Sequence, residues 1–320
     1  MDRKEIGNDE LKFAELVREQ MLKQYEGLKI TVTTTKKKNG VIRTGLELSS
    51  EKDAGICPFV RTDGYMEKYR EGMTLEQIAV HIMGIYLKDQ DSRMQMDVKD
   101  LADFGKIQHR IGFMLINTEK NREMLKRIPC RQFHDLSMIY EIFVGFRKDK
   151  VGTVTVTDKM MEHWQKEEED LYGKAIKNME IMFPPDIQTM NKLLEKMALD
   201  MGTLTALEAA DMGKEESIYI LTNSEMIQGA GTILYHGMPE RIWQFIGHQD
   251  YFILPSSINE LLILPVREGI KKEGILQTIR EVNGECVPET EFLSDNLYLY
   301  HGDTGEIEMF EHQKYIGTGA

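Results

Sequence analysis

The chain opens with apolar residues at the spacing of an amphipathic helix. The pattern begins after Asn8, a residue type favoured at helix N-caps, and stops at Gly27. Its apolar positions are Leu11, Ala14, Val17, Met21 and Tyr25. Because they recur every three or four residues, they line one face of the helix, and we expect that face to pack against a neighbouring layer.

Strand patterns follow this helix. Residues 28–35 and 41–48 alternate β-branched and polar side chains, and Asn39-Gly40 between them is a dipeptide typical of tight hairpins. The remaining predicted elements of this part are a strand over 56–61 and helices over 63–70 and 74–87. The predicted order of the first ninety residues is therefore α-β-β-β-α-α.

The middle of the chain contains one strongly apolar run, 136–146, which predicts a central strand. A long amphipathic helix is predicted from Asp158 to Lys177, and Pro184-Pro185 separates it from a shorter helix over 187–197. The other predicted elements are strands over 111–117 and 152–157 and a helix over 118–127.

A change of pattern at 198–216, where Gly, Thr, Ala and acidic residues mix, predicts a boundary or an exposed excursion. Beyond it we expect strands over 218–221, 251–254, 260–264, 296–300 and 306–310, and helices over 229–235, 239–246 and 270–282. This β-α-β-β-α-β-β order favours an antiparallel sheet over a doubly wound parallel one.

The predicted fold class is therefore α+β, with two domains, each a mostly antiparallel sheet with helices packed on one face. The expected segments are an α-β-β-β-α-α unit over 1–95, its continuation over 96–200, and an acidic α+β domain over 201–320. At 320 residues the chain exceeds the size at which a single core keeps growing, which favours more than one domain.

The composition of the chain also predicts the cellular compartment of the protein. No segment has the roughly 18 uninterrupted apolar residues of a membrane span, and the N-terminus lacks the apolar core of a secretory signal. Cys57, Cys130 and Cys286 are odd in number and widely spaced, so we expect buried free thiols rather than disulfides or metal ligands. These features predict a cytoplasmic protein without a cofactor.

Charge is distributed unevenly. Residues 1–200 hold 33 Lys and Arg against 34 Asp and Glu, whereas residues 201–320 hold 7 against 19, which is −12 of the total −13. An acidic surface repels phosphate backbones and anionic lipid, so the second part argues against a nucleic acid or a membrane as partner. A nucleic-acid module in the near-neutral first part stays a weaker option, and a protein is the expected partner.

Two catalytic or cofactor signatures are incomplete. Gly229-Ala230-Gly231 follows a strand, as in dinucleotide-binding loops, but Leu234 stands where the third glycine belongs. A hydrolase would use Ser256 or Ser257 as nucleophile. Its candidate bases are His236 and His248, and its candidate orienting acids are Asp250 and Glu260. The spacing of these residues matches no known hydrolase motif.

Polar residues nevertheless gather against the predicted C-terminal sheet. The candidate ligand-binding residues are Asn223, Gly229, Ala230, Ser256, Ser257 and Glu260. If the strands that begin at Ile218 and Tyr251 are neighbours, these residues meet at one end of the sheet. The alternative is structural: Asn223 and the serines satisfy loop backbone groups, and Glu260 caps an element or pairs with Arg267.

Two groups of residues resemble an uncharacterised family, known only as a domain of unknown function, that is common in clostridial gut bacteria. A fainter similarity extends to the YtpQ proteins of other Gram-positive bacteria. The first group is Leu115-Ile116-Asn117, Asn121, Leu125, Pro129 and Asp135-Leu136. The second is Ile218 to Asn223, Gly229-Ala230, Ile233 to Tyr235, Asp250, Leu254 to Ser257, Glu260, Pro265 and Leu293 to Asp295. The resemblance implies no activity, and Asn259 stands where relatives often carry His.

Two functions from different classes follow. The leading hypothesis is a binding or interaction module, with chaperone-like capture of a protein segment as one form of it, because sheet edges and Met-rich helices suit that task. The alternative is a hydrolase or transferase centred on the turn from Pro255 to Glu260. That alternative requires a serine hydroxyl within about 3.2 Å of His236 or His248.

Overall fold

A computed structural model describes residues 9–50, 59–91, 98–147, 150–192 and 218–311. The chain divides into two compact units. The N-terminal unit comprises Met1–Ile107 and Phe143–Thr153, and the C-terminal unit comprises Gln108–Ile142 and Val154–Ala320. The boundary predicted at 198–216 lies outside the described residues.

The N-terminal unit contains a three-stranded antiparallel sheet in the order β1-β2-β3 with helices. Its elements are α1 (Glu10–Gln24), β1 (Leu28–Lys36), β2 (Ile42–Ser50), β3 (Phe59–Arg61), α2 (Asp63–Arg70), α3 (Leu75–Asp91), a 3-10 turn (Val98–Ala102) and α4 (Phe104–Ile107). Within the described residues up to 91, the helices and strands follow the predicted α-β-β-β-α-α order. Asn39 and Gly40 form the hairpin turn with positive φ angles of 60° and 73°.

The first helix differs from its prediction at its start. Asp9, not Asn8, is the N-cap, and its carboxylate accepts a hydrogen bond from the Lys12 N–H at 3.1 Å. Leu11 is 54% exposed, whereas Phe13 lies in the core together with the predicted Ala14, Val17 and Met21. The buried side chains of this unit include Phe13, Val17, Met21, Leu46, Leu48, Ile78, Ile82 and Tyr86.

The C-terminal unit begins with a 3-10 turn (Gln108–Arg110), and the chain then forms a four-stranded antiparallel sheet. Its strands are β4 (Ile111–Asn117), β5 (Cys130–Phe133), β6 (Leu136–Arg147) and β7 (Lys150–Thr155), with the short helix α5 (Arg122–Leu125) between β4 and β5. The order is β4-β6-β5, and β7 also pairs with β6. The apolar run at 136–146 is thus a central strand, as predicted.

A six-stranded antiparallel sheet completes this unit in the order β13-β12-β10-β11-β9-β8. Its strands are β8 (Pro185–Thr189), β9 (Tyr219–Asn223), β10 (Tyr251–Ser257), β11 (Glu260–Pro265), β12 (Leu297–Tyr300) and β13 (Ile307–Phe310). The accompanying helices are α6 (Asp158–Trp164), α7 (Glu168–Met182), a 3-10 helix (Gly229–Leu234), α8 (Met238–Phe245) and α9 (Lys272–Cys286). Class α+β with antiparallel sheets is therefore confirmed.

Helices contact both faces of this sheet, whereas the sequence predicted one helical face. Leu276 and Ile279 of α9 pack on the face that carries Phe252. Side chains alternate between the two faces along each strand, so Tyr251 points to the opposite face from Phe252. There the Tyr251 hydroxyl donates to the Pro239 carbonyl of α8 at 2.9 Å, and the Tyr219 ring contacts the Phe245 ring. The side chains of β9 are buried from Ile220 to Asn223.

Three other predictions are wrong. The helix predicted over 187–197 is wrong at 187–189, which belong to strand β8 because Ile187 pairs with Leu221 of β9. Residues 190–192 are helical, and 193–197 lie outside the described residues. The long helix from Asp158 is two helices, α6 and α7, because Gln165 adopts a left-handed conformation. Cys130 and Cys286 are free but exposed, not buried.

Candidate functional site

The predicted site residues meet around the hairpin that joins β10 and β11. Ser257 pairs with Glu260 in this hairpin, and β11 lies between β9 and β10. The Ile218 and Tyr251 strands are therefore not neighbours, but β11 brings its own turn beside the end of β9. The Ala230 N–H donates to the Ile258 carbonyl at 3.2 Å, which fixes the 3-10 helix against the turn.

Asn223 organises the loop that leaves β9. Its side-chain Nδ2 donates to the Ile227 carbonyl at 2.7 Å, and its Oδ1 accepts from the N–H groups of Glu225 and Ile227 at 3.1 and 3.2 Å. The residue is fully buried. These bonds replace the backbone partners that the loop lacks after the strand ends, so Asn223 has the local structural geometry of an Asx turn.

Gly229 allows a close approach between backbone segments. A Cβ atom at this position would overlap the Oγ1 of Thr222 and the carbonyl oxygen of Asn259, and would lie 3.0 Å from the Cα of Thr222. The Thr222 hydroxyl donates to that same carbonyl at 2.7 Å. Glycine is therefore required for packing of the 3-10 helix on β9 and the turn, which gives Gly229 a role other than phosphate binding.

Asn259 is the centre of the cluster, although the sequence prediction left it out. Its Oδ1 accepts from the Gln228 N–H at 3.1 Å, and its Nδ2 donates to Glu291 at 3.3 Å. Its own N–H donates to the Ser257 hydroxyl at 3.1 Å. Asn259 thus joins the turn, the 3-10 helix and the segment before β12.

A buried polar contact continues from this cluster into the four-stranded sheet. The Gln228 side chain donates from Nε2 to Oε2 of Glu141 at 2.6 Å. Glu141 lies on β6 and is 1% exposed, and Gln228 holds a left-handed backbone conformation at φ 54°. Because buried carboxylates require hydrogen-bond donors, this pair specifies how the 3-10 helix packs on β6.

Glu260 has a perturbed carboxyl group. Burial raises the pKa of Glu260 above its ordinary 4.5, the nearby Glu291 carboxylate raises it further, and a hydrogen bond from Ser256 opposes both effects. The ionised form is therefore disfavoured by the fold. Burial and a neighbouring carboxylate also occur at catalytic acids, but both serine hydroxyls beside Glu260 are engaged in the turn.

We expect Glu260→Gln to stabilise the protein increasingly as pH rises. Below 4.5 the carboxyl is protonated in both the folded and the unfolded chain, whereas above its raised folded pKa the fold must hold the disfavoured carboxylate. The free energy of unfolding, measured by urea denaturation from acidic to neutral pH, should therefore fall further in the wild-type protein than in the variant. Glu306→Gln, at an exposed turn, controls for the loss of one acidic charge. If the difference in the free energy of unfolding between the variant and the wild-type protein becomes smaller as pH rises, the pKa of Glu260 is not raised by the fold.

The catalytic pairs proposed for a hydrolase are not assembled in the described part of the chain. No hydrogen bond joins Ser256 or Ser257 to His236 or His248 there. The His248 ring lies edge-on to Trp243, with 4.4 Å between the ring centroids. Asp250 accepts from the Gly302 N–H at 2.9 Å. His248 and Asp250 thus each have a structural partner.

The two residue groups that carry the family resemblance meet at a second polar cluster. Asp135 accepts hydrogen bonds from the Ser294 hydroxyl at 2.6 Å and from the Asn296 amide at 2.9 Å. It also accepts a short hydrogen bond from the Tyr298 hydroxyl. Burial, followed by the Asp135 charge and this bond, raises the pKa of Tyr298 well above its ordinary value. Tyr298 therefore stays a neutral donor, and the cluster holds the segment before β12 to the start of β6.

An apolar groove lies beside β8, at the edge of the six-stranded sheet. Its volume is about 390 Å³. The lining side chains come from β8, β9 and α8: Pro185, Ile187, Leu221, Met238, Arg241, Ile242, Gln244 and Phe245. Phe245 is 55% exposed, and Tyr219 supports its ring at a centroid distance of 5.8 Å. The sequence prediction missed this groove because it treated β8 as helical.

The described residues contain neither a cluster of metal ligands nor a helix that could span a membrane. Within 9–50, 59–91, 98–147, 150–192 and 218–311, no three His, Cys, Asp or Glu side chains converge as metal ligands. In the same part of the chain, every helix is too short or too polar to cross a bilayer.

Comparison with known proteins identifies a family and nothing beyond it. A family model described as a family of unknown function (DUF5688) matches residues 11–302. No curated protein and no solved structure matches the chain.

Proposed function

The chain belongs to DUF5688, a family of unknown function, and we propose that it binds an extended protein segment by adding it as a strand to the β8 edge of the six-stranded sheet. The observation that carries this proposal is the position of β8, an edge strand that borders the apolar groove. Strand addition uses the unpaired backbone groups of such an edge for affinity and adjacent pockets for side-chain selection.

In the described part of the chain, β8 pairs with β9 along one backbone edge and has no neighbouring strand along the other. The Ser224 N–H donates to the Pro184 carbonyl and the Met190 N–H to the Ile218 carbonyl, so residues of even number on β8 bond to β9. The backbone groups of Pro185, Ile187 and Thr189 therefore point away from β9. Ile187 presents both an N–H and a carbonyl in that direction, as an incoming strand requires.

The side chains of β8 support the same geometry. Pro185 and Ile187 point to the face that Leu221 and α8 also line. In an antiparallel pair, directly opposed residues point to the same face of the sheet. The residue of a captured segment opposite Ile187 would therefore enter the groove and contact the exposed Phe245 ring.

Binding is favoured over hydrolysis by the occupied hydroxyls of the turn. Ser257 accepts from the Asn259 N–H, and Ser256 bonds to Glu260. The groove, in contrast, presents apolar surface and backbone groups, which are suited to recognition rather than to a chemical step.

Selection from a random nonapeptide library displayed on phage tests the proposal with the full-length protein. We expect enriched peptides to alternate apolar and polar residues. Ile187→Pro should abolish their binding, because proline removes the N–H that points away from β9 while leaving the bonds of the β8–β9 ladder in place. Ile187→Val keeps that N–H and serves as the matched control. Peptides that bind the proline variant as well as the wild-type protein, with both variants melting normally, would overturn the proposal, as would a failure to enrich any peptide.

A further inference from the structure

Building on the proposed strand addition, we infer that Arg241 binds the side-chain carboxylate of an Asp or Glu within the captured segment. Arg241 lies on α8, is exposed to solvent, and lines the groove together with Ile187 and Phe245. It is the single Lys or Arg between Lys214 and Arg267 in the sequence.

The guanidinium of Arg241 has no carboxylate partner within the described residues. The adjacent Glu240 carboxylate accepts a hydrogen bond from the Gln244 side chain at 3.2 Å instead. A guanidinium presents paired N–H donors in a plane, a shape that matches a carboxylate. The groove therefore has an apolar floor and, at its rim, the guanidinium of Arg241, which pairs with no carboxylate of the described residues.

The geometry of an added strand would bring a carboxylate of the captured segment close to Arg241. If one residue of the segment opposes Ile187 and enters the groove, the residues two positions before and after it point to the same face. A long acidic side chain at one of those positions lies beside the apolar anchor, where α8 carries Arg241. The expected recognition pattern is thus an apolar residue with an acidic residue two positions away.

The surrounding charge limits this preference to a single carboxylate. Residues 218–311 contain 5 Lys and Arg against 15 Asp and Glu, so the surface repels a segment with several acidic residues. A lysine at the same position would face the guanidinium of Arg241 inside the groove. One acidic residue in an otherwise neutral segment is therefore the favoured ligand.

Acetylated and amidated nonapeptides test the inference. Each has leucine at its centre and glutamine at one of the two positions that lie two residues from the leucine. The other of these positions carries glutamate, glutamine or lysine, both placements are tried, and the remaining residues are valine and threonine. By fluorescence polarisation, we expect the glutamate peptide to bind roughly three- to tenfold more tightly than the glutamine peptide at low salt. This difference should shrink with added salt, vanish in Arg241→Gln and persist in part in Arg241→Lys.

The outcomes separate this inference from the proposal beneath it. Equal binding of the glutamate and glutamine peptides overturns the role of Arg241 and leaves strand addition standing. Tightest binding by the lysine peptide also overturns it, in favour of the acidic surface. Tightest binding by a glutamine peptide with a free carboxyl terminus assigns Arg241 to a terminal carboxylate instead. If none of the peptides binds and the phage selection is also empty, strand addition itself fails.

Discussion

Replacing Asp135 by alanine is expected to lower the free energy of unfolding by about 3 kcal/mol, because the carboxylate is the shared acceptor for three donors. Of these donors, Ser294 and Tyr298 are each 1% exposed. Their hydroxyls would lose an acceptor in a place that water cannot readily reach, which leaves buried polar groups unsatisfied. Equilibrium urea denaturation, with an unchanged dependence on urea concentration, measures the difference.

The matched control is Asp303→Ala in the turn between β12 and β13, where the side chain is exposed. It removes the same charge and should change stability by less than about 0.5 kcal/mol. Tyr298→Phe, which removes one donor and keeps the ring, should fall between the two. If Asp135→Ala is as mild as the control, the cluster does not hold the segment before β12 in place.

Gly229→Ala should lower stability by about 3 kcal/mol, a large effect for one added methyl group. The new Cβ would overlap the carbonyl oxygen of Asn259, a backbone atom that cannot rotate away as the end of a flexible side chain can. Relief requires the 3-10 helix to move, which strains its bond to the Ile258 carbonyl and the Thr222 hydrogen bond. Urea denaturation again gives the measurement.

Gly284→Ala is the corresponding control, because Gly284 lies in α9 with no atom within 4 Å of the added Cβ. Alanine is a better helix former than glycine, so this variant should gain roughly 0.5 to 1 kcal/mol. Opposite signs for the two glycine substitutions are the expected result. A Gly229→Ala protein as stable as the wild type would show that the 3-10 helix moves away from β9 without penalty.

Much of the fold was predictable because local patterns and tertiary contacts agree. The α-β-β-β-α-α order follows from periodicity, and the Asn39-Gly40 turn from the positive φ angles that these residues tolerate. Where tertiary pairing decides, the prediction failed. Residues 187–189 have an ambiguous local pattern, and their pairing with β9, thirty residues further along the chain, makes them a strand.

The candidate site was predictable only in part for a related reason. Polar residues at strand ends and a turn indicated the cluster that includes Asn223 and Ser257. The central position of Asn259 depends on partners at 228 and 291, far apart in the sequence. The groove was beyond sequence analysis, because it depends on β8 being a strand and on the face of the sheet that α8 covers.

Both compact units are discontinuous along the chain, and β6 runs from one into the other near residue 143. During synthesis, the N-terminal unit is therefore incomplete until residue 153 has left the ribosome. The C-terminal unit, which begins at residue 108, waits longer for its last strand at 307–310. No single cut in the chain separates the two units, so proteolysis at one site or truncation at residue 107 divides at least one of them. A piece of the chain that keeps either unit intact therefore also contains part of the other.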